Sequence, residues 1–264
     1  MITTDFVPGS PCWIELSASD LQKSLDFYRG LFGWEAESAG PDTGGYMMLK
    51  SDGKAVGGAG PLMEEGQSPS WTIYYKTDDA EATAAAVTKL GGTVHVDAMD
   101  VMGLGIMSHF SDPQGTEFAT WQPLSFPGME VADDPGSLMW VELWAPDGEG
   151  AKKFYGDLFG WSYTSFTLPE GAGTYEMITP KGQPEERMHG GMMEADEQML
   201  APLRRKGDWH PVFNVEDPDT VTAKVAESGG RVFMGPEDAE GVGRLSTCAD
   251  PDGNVFVLLK PPAM

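Results

Sequence analysis

The sequence predicts an α+β protein made of two tandem copies of one domain, each built from two strand–helix–three-strand modules. Three observations lead to this prediction. The chain has 264 residues, 41% of them apolar, which is enough for two domains of about 130 residues with a core each. A long internal repeat divides the chain. Within each half, the order of a strand, a helix and a run of short strands occurs twice.

The repeat is clearest in two segments that begin at Trp13 and Trp140. "WIELSASDLQKSLDFYRGLFGW" aligns with "WVELWAPDGEGAKKFYGDLFGW", and 11 of the 22 positions are identical without a gap. A second block, from Trp71, aligns with the block from Trp209. Self-similarity of this kind marks a duplicated domain. The predicted domains are residues 8–123 and 137–262, and the acidic, Pro- and Gly-containing segment 124–136 is the predicted linker.

Each module begins with a strand and an amphipathic helix. In the first module the helix is predicted from apolar residues at helical spacing and ends at Gly33; these residues are Leu21, Leu25, Tyr28, Leu31 and Phe32. In the second module Asp78 and Asp79 precede an Ala-rich helix that stops at Gly91. In the second copy, Pro218 follows the cap Asp217 at the first helical position. Short strands after each helix predict a sheet with helices on one face and a curled, cup-like face on the other.

Composition limits the partners and the location that we expect. The chain has 17 basic and 41 acidic residues and a net charge of −24, which repels phosphate backbones and anionic lipid. We therefore expect no binding to nucleic acid or membranes. The first 13 residues lack a basic start and an apolar run, and no apolar stretch approaches the roughly 20 residues of a membrane span. Cys12 and Cys248 are expected to be buried thiols, so a cytoplasmic location is predicted.

The chain resembles a known superfamily. The module order in tandem, "FYRGLFGW" and "FYGDLFGW" on the first helices, and "SDPQG" and "ADPDG" before the last strands are similar to the vicinal oxygen chelate superfamily. That group contains glyoxalase I, bleomycin-resistance proteins and extradiol dioxygenases. The "PCWIEL" start and "WQP" finish resemble two-domain actinobacterial members labelled as hydroxylases or glyoxalase-like proteins. The resemblance covers nearly the whole chain and implies paired βαβββ modules in each domain.

The resemblance also implies a divalent metal, which family enzymes hold in the cup through His and Glu side chains. The family's ligand positions fall on Trp13, Thr72 and Ala119 in the first copy, and on Trp140, His210 and Val257 in the second. Only His210 among these six has a side chain that suits a metal, so we expect neither a metal nor another cofactor. An atypical site remains an alternative, with His189 joining His210 and Glu142, or with exchanged modules bringing His210 beside Glu15.

The candidate site residues follow from strand alternation, which places residues two apart on one face. The candidate catalytic residues are Glu15, Glu142 and His210. The candidate ligand-binding residues are Trp13, Thr72, Tyr74, Lys76, Glu117, Trp121, Trp140 and Asn214.

Each candidate also has a structural interpretation. The two glutamates could bond to backbone at the strand start, and Lys76 could be an ion-pair partner of Glu15 or Glu117. His210 could be a hydrogen-bonded histidine at a sheet edge, and His109 a solvent or loop residue. The tryptophans could be core.

Three functions remain open. The first is a small-molecule binder of the resistance type, without the usual metal, in which aromatic and apolar side chains line the cups. The second is a glyoxalase-like or hydroxylase/dioxygenase-type enzyme that uses Glu15, Glu142 or His210 as acid or base. The third is a structural or interaction protein whose cups are filled by Trp and Met. A monomer and a homodimer are both compatible with four modules in one chain.

Overall fold

The computed structural model describes residues 2–63, 66–168, 173–203 and 205–262. The first copy contains β1 (Pro11–Ala18), α1 (Leu21–Phe32), β2 (Glu35–Ser38), β3 (Met47–Ser51), β4 (Lys54–Pro61), β5 (Ser70–Lys76), α2 (Ala80–Lys89), β6 (Thr93–Asp100), β7 (Gly105–Ser111) and β8 (Glu117–Pro123). The second contains β9 (Leu138–Ala145), α3 (Gly148–Phe159), β10 (Ser162–Thr167), β11 (Thr174–Thr179), β12 (Gly190–Glu194), α4 (Glu197–Leu200), β13 (Asp208–Asn214), α5 (Pro218–Glu227), β14 (Arg231–Ala239), β15 (Gly243–Ala249) and β16 (Val255–Lys260).

The strands form two curled sheets of eight, one from each copy. The first sheet has the order β2-β3-β4-β1-β5-β8-β7-β6, and the second has the equivalent order β10-β11-β12-β9-β13-β16-β15-β14. β1 pairs with β4 in parallel and β9 with β12 in parallel, whereas the strands that follow each helix form antiparallel meanders. The α+β class, the tandem duplication and the βαβββ modules are therefore confirmed.

An aspartate caps the first helix of every module. Asp20, Asp79, Asp147 and Asp217 each accept a hydrogen bond from the backbone N–H three residues later, which satisfies one of the otherwise unpaired donors of a helix start. At the other end, Gly33 and Gly160 take the left-handed conformation with φ of 74° and 71°. Glycine adopts this conformation without the Cβ penalty. The repeated "LFGW" ending is thus the local signal that stops α1 and α3.

Two compact units divide the chain, and each combines parts of both copies. Unit 1 contains residues 1–13, 72–128 and 140–209, and unit 2 contains residues 14–71, 129–139 and 210–264. Both cysteines are buried and unbridged, as expected. Burial raises the pKa of the Cys12 thiol, and it raises the pKa of the Cys248 thiol to about 12. No helix among the described residues is both long and apolar enough to span a membrane.

A buried tyrosine joins the two copies inside unit 1. The Tyr155 hydroxyl donates to Asp112 Oδ2 at 3.3 Å and accepts from Trp209 Nε1 at 2.9 Å. Tyr155 belongs to the "FYGDLFGW" segment of the second copy, and Asp112 belongs to the "SDPQG" segment of the first. Burial raises the pKa of the Asp112 carboxyl, against the backbone N–H donors of Gln114 and Thr116, which lower it. The contact is therefore polar, buried and shared between the copies.

Unit 2 repeats this arrangement with the roles of the copies exchanged. The Tyr28 hydroxyl, from "FYRGLFGW", donates to Asp250 Oδ2 at 3.1 Å and accepts from Trp71 Nε1 at 2.9 Å. Asp250 also accepts from Asn254 Nδ2 at 2.9 Å. The segments "FYRGLFGW" and "FYGDLFGW" therefore contribute to packing and to buried hydrogen bonds. Each segment connects its own copy to the other one.

We predict that Tyr155→Phe destabilises the protein by about 1–3 kcal/mol, because Asp112 loses a donor and the buried Trp209 N–H loses its acceptor. Tyr75→Phe is the matched control in the same unit. Its buried hydroxyl has no hydrogen-bond partner among the described residues, so its removal should leave stability unchanged or slightly raised. Chemical unfolding monitored by circular dichroism gives both values. Equal losses in the two variants would contradict this account of the Tyr155 contact.

Candidate functional site

The face of β9 that points away from the helices carries an aromatic and acidic array. Val141 and Leu143 are fully buried, whereas the alternating Trp140, Glu142 and Trp144 are only half-buried. On β11, Glu176 is bonded to Lys152 of α3 at 2.9 Å, so its neighbour Tyr175 points to the opposite, helix-free face.

Hydrogen bonds hold these four side chains together. Trp144 Nε1 donates to Glu142 Oε1 at 2.7 Å, and the Tyr175 hydroxyl donates to Glu142 Oε2 at 3.1 Å. Trp140 Nε1 donates to the Tyr175 oxygen at 2.9 Å. We call this group, Trp140, Glu142, Trp144 and Tyr175, the β9 array. Its carboxylate accepts hydrogen bonds from the side chains of Trp144 and Tyr175.

The surroundings of Tyr175 keep its hydroxyl protonated, so that it remains a hydrogen-bond donor. Burial raises the pKa of Tyr175 well above its usual value, and the neighbouring Glu142 charge raises it further. The phenol is therefore protonated at neutral pH and can donate to the carboxylate. The array offers a carboxylate whose position is fixed by an N–H and an O–H donor, with indole and phenol rings around it.

A glycine makes room for the Tyr175 ring. Gly191 on β12 is paired with Glu142 on β9, and a Cβ placed on Gly191 would overlap the Tyr175 ring. The Tyr175 ring therefore lies directly over Gly191, because any side chain at this position would overlap the ring. This placement brings the Tyr175 hydroxyl within hydrogen-bond distance of Glu142.

The first copy contains the same combination within unit 2. Glu15 is half-buried on β1 and is paired with Gly58 on β4. A Cβ on Gly58 would overlap the Tyr46 hydroxyl, so this tyrosine also lies over the glycine. The combination of a glutamate, a glycine on the neighbouring strand and a tyrosine over that glycine is thus a feature of both copies.

A second polar group lies on the first sheet in unit 1. Tyr74 Oη lies 2.8 Å from His109 Nε2, on strands β5 and β7. Burial, with a smaller contribution from His95, lowers the pKa of His109 to about 4, so the imidazole is neutral at pH 7. Tyr74 was a predicted ligand-binding residue. The expectation that His109 is a solvent or loop residue is wrong, because it lies half-buried within β7, where neighbouring strands cover the imidazole.

Aromatic side chains cluster on the same part of the first sheet. The ring of Phe126 lies 5.2 Å from that of Trp13 and 6.3 Å from that of Trp121, both edge-on. Trp121 Nε1 also donates to the Phe126 carbonyl at 2.8 Å. The structure therefore brings two of the predicted ligand-binding tryptophans together, through a phenylalanine from the predicted linker.

The other predicted residues have different surroundings. Lys76 forms an ion pair with Asp78 at 2.8 Å, whereas Glu15 or Glu117 was the expected partner. Glu117 is exposed at the start of β8, and Thr72 is buried on β5.

The two remaining candidates lie on β13. Asn214 donates to the Asp133 carbonyl at 2.7 Å. His210 is fully buried. Like the other site assignments, the catalytic role of His210 stays a prediction.

Sequence reasoning missed Tyr46, Tyr175, Trp144 and the two glycines. A signal for them exists in the repeat, since "GGYMML" aligns with "GTYEMI" and both copies have a Gly-Gly pair in the following strand. Alternation along one strand groups Trp140 with Glu142, but it does not show which distant strand supplies their partners. The order of the strands in the sheet determines which strand supplies these partners.

A groove of about 1300 Å³ lies elsewhere in unit 1, between the start of α3, strands β11 and β12, and residues 195–201, 205 and 206. Methionines and carboxylates dominate its lining, among them Met192, Met199, Glu149 and Glu197. None of the sequence-predicted site residues lines it. Among the described residues, no three His, Cys, Asp or Glu side chains form a group that could hold a metal ion.

Comparison with known proteins identifies the family. The family model described as the Glyoxalase/Bleomycin resistance protein/Dioxygenase superfamily matches residues 12–120 and 137–258. The two matches correspond to the two copies, and together they cover most of the chain. The protein therefore belongs to this superfamily, which confirms the resemblance.

Individual relatives match over nearly their full length. The anthracycline biosynthesis protein DauV of Streptomyces sp. strain C5 is 34% identical over 272 residues, covering 97% of this chain and 95% of DauV. CFP32 of Mycobacterium tuberculosis, named as a candidate glyoxylase, is 32% identical over 263 residues, covering 98% and 97%. The structure of a Mn(II)-bound glyoxalase from Novosphingobium aromaticivorans has a TM-score of 0.64 at 15% identity, covering 96% of this chain and 82% of that one. This last match shows a shared fold.

Five of the six side chains at the positions that the resemblance assigns to metal ligands do not suit a divalent metal, and His210 is the exception. In the first copy, Trp13, Thr72 and Ala119 provide neither an imidazole nor a carboxylate. In the second, the Trp140 indole N–H is a donor to Tyr175 and has no lone pair for a metal, and Val257 has no donor atom. The chemistry of these side chains therefore differs from that of the metal-binding members.

We predict that Gly191→Ala displaces the Tyr175 ring and breaks its hydrogen bond to Glu142. The new methyl group overlaps the ring, so the cost in stability should be about 1–3 kcal/mol. In a Tyr175→Ala background, Gly191→Ala should cost little, because the clash is removed. A double-mutant cycle from chemical unfolding measures this coupling. Additive losses would show that Tyr175 does not lie over Gly191.

Proposed function

We propose that this protein binds a small, partly apolar molecule against the helix-free faces of its sheets, and that hydrogen bonds and aromatic contacts hold the ligand in place of the family's metal. The β9 array is the observation that carries the proposal. Its tryptophans and its carboxylate are half-buried on the sheet face opposite to the one that contacts α3, and their orientation is fixed by mutual hydrogen bonds.

The array has the properties of a binding surface. Ligand sites combine apolar and aromatic lining with a few well-positioned polar groups. Two indoles and a phenol supply large, rigid contact area at a small entropic cost, and Glu142 supplies a fixed hydrogen-bond acceptor. A core position would not need a carboxylate, since burying one is costly. Ligand binding therefore explains why aromatic side chains and a carboxylate occur together in the β9 array.

The relatives suggest which ligands to test first. DauV is named for anthracycline biosynthesis, so an anthracycline is the first ligand to examine. The proposal needs no metal, because the side chains at the six family positions include a single imidazole and no carboxylate.

An enzymatic function is the second candidate, and the Tyr74–His109 pair favours it. A neutral imidazole beside a phenol can accept a proton from, or orient, a bound molecule. CFP32 is named as a candidate glyoxylase, which makes 2-oxoaldehydes the first substrates to examine. In this alternative Tyr74 and His109 act on a ligand that the aromatic residues Trp13 and Trp121 hold.

We predict that aromatic ligands, including an anthracycline, raise the melting temperature in the presence of a chelator, because they bind the folded protein selectively. Tyr175→Phe should weaken this binding about 3- to 10-fold, since Glu142 loses the donor that orients it. Tyr163→Phe is the matched control; its hydroxyl bonds to the Lys152 carbonyl, outside the array. Calorimetry measures the dissociation constants, and mass spectrometry of the recovered ligand detects any conversion.

The outcomes separate the candidates. Binding with an unchanged ligand supports the binder, and conversion that His109→Gln abolishes supports the enzyme. Equal affinities of the Tyr175→Phe and Tyr163→Phe proteins would place the ligand outside the array. Binding that requires an added divalent metal would overturn the metal-free proposal.

A further inference from the structure

We propose that His189 and the N-terminal segment that covers it, residues 2–8, form an acid-sensitive switch: in acid the imidazole gains a proton and the segment moves away from it. We call residues 2–8 the N-terminal strap. This switch is separate from the proposed function, since neither His189 nor the strap belongs to the β9 array. It is derived from three features of unit 1: the surroundings of the imidazole, a small cavity beside it, and the attachment of the strap.

The His189 imidazole is buried in apolar and aromatic surroundings. The residue is 1% exposed, and neither Nδ1 nor Nε2 has a hydrogen-bond partner in the part of the chain that the structure describes. The ring of Trp161 lies 5.3 Å away and that of Tyr75 6.5 Å away, measured between centroids. A charged imidazolium has two N–H donors to satisfy, and burying a charge without a partner is costly. The closed structure therefore favours the neutral imidazole.

A cavity of about 10 Å³ lies between the imidazole and the strap. Ile2 and Thr3 of the strap contribute to its lining, together with Arg187 and His189. This volume is about that of a single water molecule, which is too small for the hydration shell of an imidazolium. Protonated His189 is therefore fully hydrated only after the strap has moved.

The strap is attached to the rest of unit 1 through side chains and belongs to no helix or strand. Arg187 Nη2 donates to the Asp5 carbonyl at 2.6 Å, and the Ile2 side chain is buried. The chain is held more firmly from Gly9 onward, because the Gly9 carbonyl accepts from Trp161 Nε1 at 2.8 Å and β1 begins two residues later. Opening of the strap therefore breaks fewer contacts than unfolding of the unit and costs less free energy.

The charged groups around the imidazole also oppose its protonation. Arg187 lines the same cavity, so its positive charge repels a second one on His189. Asp5, the acidic residue of the strap, is paired with Arg187 and its side chain is 88% exposed, so it compensates little. Tyr75 is neutral, because burial raises the pKa of its phenol well above the usual value. Protonation of His189 therefore destabilises the closed strap.

The pH range of the switch depends on the pKa of His189. Burial, with a smaller contribution from the positive charge of the amino terminus, lowers this pKa from 6.5 to about 3. In the open form water surrounds the imidazole, and its pKa returns towards 6.5. The closed strap is therefore most stable above pH 6.5, and it loses stability as the pH falls from 6.5 towards 3. Each pH unit in this range increases the equilibrium constant for opening about tenfold.

Labelling of a thiol placed in the strap measures its opening. Ile2 is buried, so in the full-length Ile2→Cys protein the introduced thiol reacts with 4,4′-dithiodipyridine when the strap opens. The rate is divided by that of a peptide of residues 1–10 with the same substitution at the same pH, which gives the opening constant. We predict that this constant rises about 30-fold between pH 7.5 and pH 5.0, and that nearly all of the rise occurs below pH 6.5.

Further substitutions in the same background assign the proton. His189→Phe should abolish the pH dependence, because a phenyl ring packs against Trp161 and takes up no proton. His109→Gln is the matched control and should keep the 30-fold rise, since it removes another imidazole of unit 1 whose pKa is lowered by burial. Arg187→Gln should raise the opening constant about 3- to 10-fold at every pH and keep the rise, because the strap loses its hydrogen bond to Arg187 and the titrating group stays.

The outcomes are distinct. A rise that His189→Phe abolishes and His109→Gln keeps supports the switch. Equal opening constants at pH 7.5 and pH 5.0, or a rise that persists in His189→Phe, overturn it. Labelling of the buried Cys12 in parallel with the introduced thiol also overturns it, because unit 1 then opens as a whole. The Ile2→Cys and Arg187→Gln proteins keep His189, so their pH dependence decides the matter even if His189→Phe does not fold.

Discussion

The buried hydrogen bonds of Tyr28 and Tyr155 are the constraint on which the rest of the structure depends. Each tyrosine accepts from a tryptophan of its own copy and donates to an aspartate of the other copy, within one compact unit. Because a buried polar group without a partner is costly, these contacts require the helix of one copy to lie on the sheet of the other. Within each compact unit, the modules of the two copies are therefore energetically dependent on each other.

This packing uses the helix-covered faces of the sheets and leaves the opposite faces for other contacts. On β9, Val141 and Leu143 point to the covered face and are fully buried, whereas Trp140, Glu142 and Trp144 on the other face are half-buried. The same strand thus stabilises the fold with one set of residues and presents the β9 array with the other. Gly191, which carries no side chain, lets Tyr175 complete that array.

The sequence was sufficient for the fold and insufficient for the site. The repeat, the aspartate caps and Gly33 and Gly160 predict the modules correctly, because these signals are local and each has one physical meaning. Alternation also places Trp140 and Glu142 on one face. It does not reveal that Tyr175, 33 residues beyond Glu142, donates to that carboxylate, because that contact depends on strand order. The sequence also does not reveal that His109 is neutral at pH 7, because burial between neighbouring strands lowers the pKa of its imidazole.

The central claim is that a ligand binds at the β9 array without a metal, and indole N–H signals test it most directly. In protein labelled with ¹⁵N at tryptophan, the Trp140 and Trp144 signals are assigned with Phe variants. With a chelator present, a saturating aromatic ligand should shift these two signals and leave those of the buried Trp71 and Trp209 unchanged. Signals from Trp140 and Trp144 that stay fixed at saturation, or that move only after a divalent metal is added, would contradict the claim.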